Sequence, residues 1–340
     1  MLQEISEQPE ALERTISEER GRIDRLGAFL AERNPPFILL VARGSSDNSS
    51  LFGRYLLEIV TGIPVALAAP SVHTLYGAKL KLDRALVIGV SQSGEGEDIN
   101  AVLSSARASG AFTIGITNEA NSSMVSIVDE ALLMHGGRER SVAATKTYTG
   151  QMMLFYMLAA KLATNGFKLE YESIPRHAAS ALEVHSVIKE MVQRYVFLEN
   201  CVVVGRGLVY GNAYEWALKL METCYIVAER FSTADFFHGP LALVERHFPV
   251  FAFAPPGAAL AGIRQLLCRL NELHADTLVI TSDSEAASAA TRSIKMPEIP
   301  EILSPIPYII PAQLFAALLA DARGLNPDAP RSLAKVTRTL

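Results

Sequence analysis

Two short stretches decide the fold: Phe37-Ile38-Leu39-Leu40-Val41-Ala42-Arg43-Gly44, and Cys201-Val202-Val203-Val204-Gly205-Arg206-Gly207. Each is a short apolar run that leads into a glycine turn and then a helical pattern. Arg43-Gly44 and Arg206-Gly207 are 163 positions apart. The same offset carries Ala85–Val90 onto Phe248–Phe253 and Gly94 onto Gly257. With one residue of slippage it also pairs Thr113–Thr117 with Thr277–Thr281. Three strand-like segments recurring at one spacing mark an internal duplication. Continuous apolar runs are what strands buried on both faces require, so each copy reads as parallel strands joined by helices. The fold class is therefore α/β, as two tandem three-layer units in which helices flank a parallel sheet.

Helical stripes fill the intervals. Leu12, Ile16, Ile23, Leu26 and Leu30 recur at helical spacing before the first strand, and Ile99, Val102, Leu103 and Ala106 follow the second. Pro175 to Tyr195, rich in helix formers, connects the copies. Twice 163 leaves 14 of the 340 residues outside the duplication. The expected organisation is a first unit over 1–165, a second over 166–326 and a tail over 327–340.

The chain carries 31 Lys+Arg against 36 Asp+Glu, a formal net charge of −5. That balance offers no broad electrostatic footprint for nucleic acid or an anionic membrane. Cys201, Cys224 and Cys268 are well separated and odd in number, which provides neither a disulfide framework nor a paired-cysteine metal site. Glu4, Glu7, Glu10 and Glu13 occupy the place of a signal peptide's basic start. Met152 to Ala160 is apolar but ends at Lys161, and Pro249 to Ile263 is broken by Pro255, Pro256 and Gly257. The expectation is a cytoplasmic protein without a membrane span.

In an open parallel sheet, ligands bind beyond the carboxyl ends of the strands. The turn Ser91-Gln92-Ser93-Gly94-Glu95-Gly96 lies there, with two hydroxyls, an amide and the N–H groups of a helix start. Ser45, Ser46, Asp47, Asn48, Ser49 and Ser50 give the first turn a comparable set. These residues suit a phosphate cradle, and they equally suit helix capping. Glu95, Glu97 and Asp98 favour a helix N-terminus but repel a phosphate. The matching turn of the second copy, Ala254-Pro255-Pro256-Gly257, has no side-chain donor and two prolines lacking N–H groups. Only the first copy is expected to hold phosphate in this turn.

Between Tyr214 and Arg230 the pattern reads as a helix, with Glu215, Lys219 and Glu222 on one face. Such a stripe is either a solvated ion pair or a proton-transfer site based on Glu222. His238, in Phe236-Phe237-His238-Gly239-Pro240, sits in a turn expected to start another apolar helix, and histidine titrates near neutral pH. Lys335, in the tail from Asn326, is a surface lysine by default; in a dry pocket it could form a Schiff base with a sugar carbonyl.

Five motifs in sequence carry a resemblance. They are Ser91-Gln92-Ser93-Gly94-Glu95, Ser141-Val142-Ala143-Ala144-Thr145-Lys146, Ala217-Leu218-Lys219-Leu220-Met221-Glu222, His238-Gly239-Pro240-Leu241-Ala242-Leu243 and Leu333-Ala334-Lys335. Together they resemble the double SIS (sugar isomerase) family over essentially the whole chain. The nearest members are the isomerase half of glucosamine-6-phosphate synthase and the SIS-type glucosamine-6-phosphate deaminases. The resemblance implies a sugar-phosphate site built from Ser45, Ser46, Ser91, Gln92 and Ser93 with Val142 nearby, and lined by Glu215 and Lys219. It implies Glu222 as the base moving a proton between C1 and C2. It also implies His238 assisting ring opening, often from a partner subunit, and Lys335 as the amine that meets the open-chain carbonyl.

The resemblance further implies a homodimer with shared sites and a sugar phosphate as the small-molecule partner, with no metal or organic cofactor. Where synthases carry a threonine after Ser-Gly-Glu, this chain has Gly96. Glu222-Thr223-Cys224, Phe231–Phe236 and the ending Lys335-Val336-Thr337-Arg338-Thr339 stand closer to the deaminase branch. With Met1 read as the start, the expectation is a chain without a glutaminase domain. The implied activity is an amino-sugar-phosphate isomerase or deaminase that gives fructose 6-phosphate and ammonia from glucosamine 6-phosphate. Alternatives are a fructosamine-phosphate deglycase, an isomerising aminotransferase-type half enzyme, or a non-catalytic sugar-phosphate sensor.

Overall fold

A computed structural model describes residues 1–164 and 167–335. It contains two five-stranded sheets, and every strand pairing is parallel. The first sheet comprises β1 (Ile38–Val41), β2 (Val65–Leu67), β3 (Leu86–Val90), β4 (Phe112–Thr117) and β5 (Glu130–Leu133), in spatial order β2-β1-β3-β4-β5. The second comprises β6 (Asn200–Gly205), β7 (Val227–Ser232), β8 (Pro249–Ala254), β9 (Asp276–Thr281) and β10 (Arg292–Lys295), in order β10-β9-β8-β6-β7.

The two sheets repeat one pattern. Ile38 pairs with Leu86 and Val202 with Val250, a separation of 48 residues in each case. Leu86 pairs with Phe112, whereas Pro249 pairs with Asp276, so the second copy carries one extra residue before β9. That insertion is the slippage visible in the sequence. Strands β1, β3, β6, β8 and β9 lie in runs the sequence picks out, as does β4. The edge strands β2, β5, β7 and β10 are added by the structure. Reading Tyr214 to Arg230 as one helix needs correction. The α-helix spans Tyr210–Lys219, a π-helical turn covers Leu220–Cys224, and Val227 and Arg230 belong to β7. As an edge strand beside β6, β7 exposes Val227 and Glu229, so its apolar content mimics a helical stripe.

Each sheet is covered by helices whose apolar faces match the periodicity. In the helix Gln8–Arg33, Leu12, Ile16, Ile23, Leu26 and Leu30 are all buried. Ile99, Val102, Leu103 and Ala106 of the helix Glu97–Ala108 pack into a core with Leu39, Val41 and Val87. Each large aliphatic side chain so buried contributes about 1.5–3 kcal/mol relative to exposure. Over the second sheet, Trp216 stacks on Phe251 at 5.0 Å and meets Phe315 edge-on at 5.6 Å. Phe315 lies on the helix Pro305–Ala322, which the survey of apolar runs passed over. By length and composition that helix is apolar enough to cross a membrane; 89% of it is buried, as a core helix of its unit.

The chain divides into two compact units interleaved along the sequence. The unit on the first sheet contains Glu7–Glu139 and Lys146–Glu172, and the tail from Leu333. The unit on the second sheet contains Ser173–Ser332 together with the first helix Met1–Ser6 and the loop Arg140–Thr145. The boundary expected at 165/166 falls on residues outside the described ones, as does the deaminase-like ending Val336-Thr337-Arg338-Thr339.

Candidate active site

The order β2-β1-β3 means that the chain leaves β1 toward one side and returns on the other, and such a reversal opens a crevice at the strand ends. The two hydroxyl-rich turns flank that point. Ser45 opens the helix Ser45–Thr61 directly after β1, and Ser91-Gln92-Ser93 follow β3. Ser91 Oγ accepts the N–H of Gly94 at 3.1 Å, and Ser93 Oγ accepts that of Glu95 at 3.2 Å. Ser46 Oγ accepts from Gln151 Nε2 at 2.9 Å, and the amide oxygen of Gln151 accepts from Ser49 at 2.7 Å. Each of the hydroxyls of Ser46, Ser91 and Ser93 thus receives an internal N–H and keeps its own hydrogen to donate to an anion. Gly94 has φ +66°, and a Cβ there would stand 2.1 Å from Ser122 Oγ. Only glycine fits this closely packed left-handed position.

Two of the three acidic residues at this turn have internal partners, and Glu97 is exposed. Glu95 accepts from Ser123 N at 2.8 Å and Ser123 Oγ at 2.6 Å, so its carboxylate is engaged by the start of a neighbouring helical turn. Asp98 is buried and accepts from Arg43 Nε at 2.7 Å. The Arg43 guanidinium therefore ties the first turn to the start of the helix behind the second. Burial raises the pKa of Asp47, and Arg43 opposes that shift.

The equivalent turn of the second unit packs against an internal carboxylate. Gly257 has φ +131°, and a Cβ there would meet Glu301 Oε2 at 2.0 Å. The same oxygen accepts the N–H of Ala258 at 2.8 Å. Where Ser93 Oγ accepts the N–H of Glu95 in the first unit, the Glu301 carboxylate accepts the N–H of Ala258 in the second.

Glu215, Lys219 and Glu222 come together in the second unit. Glu215 and Lys219 are fully buried, and the Glu222 side chain is 21% exposed. Lys219 Nζ lies 2.6 Å from Glu222 Oε2 and 3.2 Å from Glu215 Oε1. Burial penalises the Lys219 ammonium, but the two carboxylates outweigh that and raise its pKa above the ordinary lysine value. Glu222 occupies the π-helical turn, whose wider winding is a frequent feature of functional sites. Tyr225, at φ +59°, ends it. This is a fixed, charge-paired carboxylate with solvent access, which suits proton transfer.

His238 follows the short helix Thr233–Phe237 in the same unit and is exposed. The apolar helix expected after it is instead a four-residue 3₁₀ turn, Pro240–Leu243, with Leu243 54% exposed. Gly239 at φ +132° and Pro240 break the backbone there. Val142 belongs to the unit on the second sheet, where its N–H donates to Asp328 O at 3.1 Å. The preceding backbone is clamped by Glu4, which is bonded to the N–H groups of Arg140 and Ser141. Burial raises the pKa of Glu4, yet hydrogen bonds from Ser141 and Arg140 outweigh it and lower the value.

Lys335 lies in the unit on the first sheet, where its Nζ is 2.7 Å from Glu139 Oε2. Sequence reasoning passed over Glu139; the only local signal was a charge between Arg138 and Arg140, two residues before the Ser141–Lys146 motif. Among the described residues, no three His, Cys, Asp or Glu side chains converge in a metal-binding group.

Comparison with known proteins places these features in a family. The SIS domain model matches residues 33–161 and 199–320. A glutamine–fructose-6-phosphate aminotransferase [isomerizing] from Gloeobacter violaceus is 37% identical over 98% of this chain, which spans 58% of that protein's length. A crystal structure of a candidate phosphosugar isomerase from Silicibacter pomeroyi is 33% identical, with a TM-score of 0.86 over 96% of this chain and 98% of its own. The C-terminal domain of glucosamine-fructose-6-phosphate aminotransferase from Francisella tularensis is 28% identical, with a TM-score of 0.88 over 97% and 98% of the two chains. The matched segments bracket both sheets, and the chain belongs to the SIS domain family.

Proposed function

We propose that the chain is a sugar-phosphate isomerase, and specifically that it converts glucosamine 6-phosphate and water into fructose 6-phosphate and ammonia. The observation that carries the reading is the Glu222 carboxylate, partly exposed and held 2.6 Å from a fully buried ammonium. The hydroxyl-lined turns at β1 and β3 support it as a seat for the 6-phosphate. The names of the curated relatives support a substrate of the fructose 6-phosphate class.

His238 assists ring opening by protonating the ring oxygen. Glu222 then removes the C2 proton of the open-chain aldehyde and returns it to C1. A proton passes from the amino nitrogen to O1, which leaves a ketimine at C2. The Lys335 amine adds to that ketimine and expels ammonia, which leaves a Schiff base between Lys335 and C2; water then adds to the Schiff base, releasing fructose 6-phosphate and the free lysine amine. Lys219 fixes Glu222, and Glu215 balances Lys219. The relatives' aminotransferase names favour a second reading, in which the same residues run the reaction from fructose 6-phosphate toward the amino sugar.

Incubation with glucosamine 6-phosphate, with ammonia and fructose 6-phosphate measured in parallel, tests the proposal. Equimolar release is expected, lost in Glu222→Gln. Tight binding of sugar phosphates with no turnover of any amino-sugar phosphate would make the chain a sensor instead.

A further inference from the structure

We infer that Glu139 positions the amine of Lys335; the inference rests on Lys335 acting as the carbonyl-engaging amine in the function proposed above. Glu139 is fully buried, and its side chain is fixed from several sides. Its Oε1 accepts the N–H of Thr147 at 3.2 Å, and its Oε2 accepts from Thr147 Oγ1 at 2.7 Å. Thr147 lies in the first turn of the helix Lys146–Leu162, whose positive N-terminal end favours a carboxylate. The same Oε2 receives Lys335 Nζ at 2.7 Å.

The two partners differ in freedom. Glu139 is locked by a helix start, whereas Lys335 sits 196 residues away in sequence, in a tail segment without regular structure. A lysine has four rotatable bonds, so its amine needs an external anchor to present itself reproducibly to a carbonyl carbon. The anchor also matches the charge of the chemistry. With fructose 6-phosphate, the Lys335 ammonium gives up two protons to the ketone oxygen, which leaves as water while the freed nitrogen lone pair forms the C–N double bond, and the iminium keeps the same single positive charge; Schiff-base hydrolysis in the deaminating direction is the reverse of this step. One buried carboxylate therefore faces a cation before and after the step, and no proton need pass to Glu139.

Glu139→Gln removes the charge and keeps an acceptor for Thr147; Glu139→Asp keeps the charge. Acylation of Lys335 by a water-soluble succinimidyl ester at fixed pH, read by peptide mass spectrometry, reports the pairing without turnover. Glu139→Gln is expected to label about fivefold faster than wild type, and Glu139→Asp nearer the wild-type rate. In steady state, Glu139→Gln is expected to lose about 100-fold in kcat with the KM for the sugar phosphate nearly unchanged, and Glu139→Asp to recover part of the loss. Unchanged labelling, or kcat and KM shifting together with a lowered melting temperature and no recovery by aspartate, would overturn the positioning role. Borohydride reduction in the presence of fructose 6-phosphate separates the two proposals. A labelling change without any trapped adduct on Lys335 keeps the ion pair and removes the Schiff-base reading along with the pair's catalytic consequence.

Discussion

Lys219→Met tests whether the buried charge cluster is the structural and chemical centre of the second unit. The ammonium is fully buried, with Glu215 Oε1 at 3.2 Å and Glu222 Oε2 at 2.6 Å. Methionine keeps most of the volume and removes the charge, so the change isolates electrostatics from packing. Glu222, being 21% exposed, can recover solvation, but Glu215 is fully buried and loses its cation. Breaking a buried pair from one side costs about 3–5 kcal/mol, because a buried charge is left uncompensated. Against a total stability of about 5–15 kcal/mol, that is a large fraction. Adding Glu215→Gln in the same chain removes the orphaned charge, and the double variant should regain about half the loss or more. Catalysis should stay lost in both, because Glu222 has no fixed partner in either. Urea unfolding followed by circular dichroism, with linear extrapolation, measures the three proteins. A single-variant loss below about 1 kcal/mol, or a double variant no more stable than the single, would refute the reasoning.

Gly94→Ala places a Cβ 2.1 Å from Ser122 Oγ at φ +66°, so it should cost about 2–4 kcal/mol in urea unfolding and raise the Ki for fructose 6-phosphate. A Ki equal to wild type would separate this turn from phosphate binding. The hydrogen bonds that hold Glu4 below its usual value of 4.5 make a stability contribution that is fully present above that pH and is lost as pH falls through the lowered value. Glu4→Gln should therefore be less stable than wild type at pH 7 by about 1–2 kcal/mol, with the difference shrinking as pH falls below 4.5, which thermal melts at a series of pH values would detect.

The duplicated plan was legible because the central strands are continuous apolar runs; nothing but burial on both faces explains Leu86–Val90 or Val250–Phe253. The edge strands were not legible for the converse reason. Val65-Ala66-Leu67 is too short to show a period, and β7 mixes Glu229 and Arg230 with Val227, which reads equally as a helix face. The charged stripe was visible at its correct residues, but the π-helical turn that sets Glu222 against Lys219 has no compositional mark. Glu139 was hidden for a deeper reason. Its role depends on a hydrogen bond to Thr147 and a partner 196 residues away, and pairings of that range leave no trace in one sequence.

The two copies of the fold differ most instructively at one turn. Gly94 and Gly257 occupy equivalent places after β3 and β8, and both have positive φ. In the first unit, two of the three nearby acids have partners, Glu95 with Ser123 and Asp98 with Arg43. In the second, Glu301 binds the backbone N–H of Ala258, the kind of group that a phosphate would use. The same backbone donor is met by a neutral hydroxyl in one copy and by a carboxylate in the other, and the carboxylate adds a negative charge that opposes a phosphate there. In the second turn prolines stand at 255 and 256, so no serine is available at the position matching Ser93, and Glu301 supplies the acceptor instead. That difference agrees with the proposed function, in which the phosphate is held by the hydroxyl turns of the first copy and proton transfer belongs to the Glu–Lys–Glu cluster of the second.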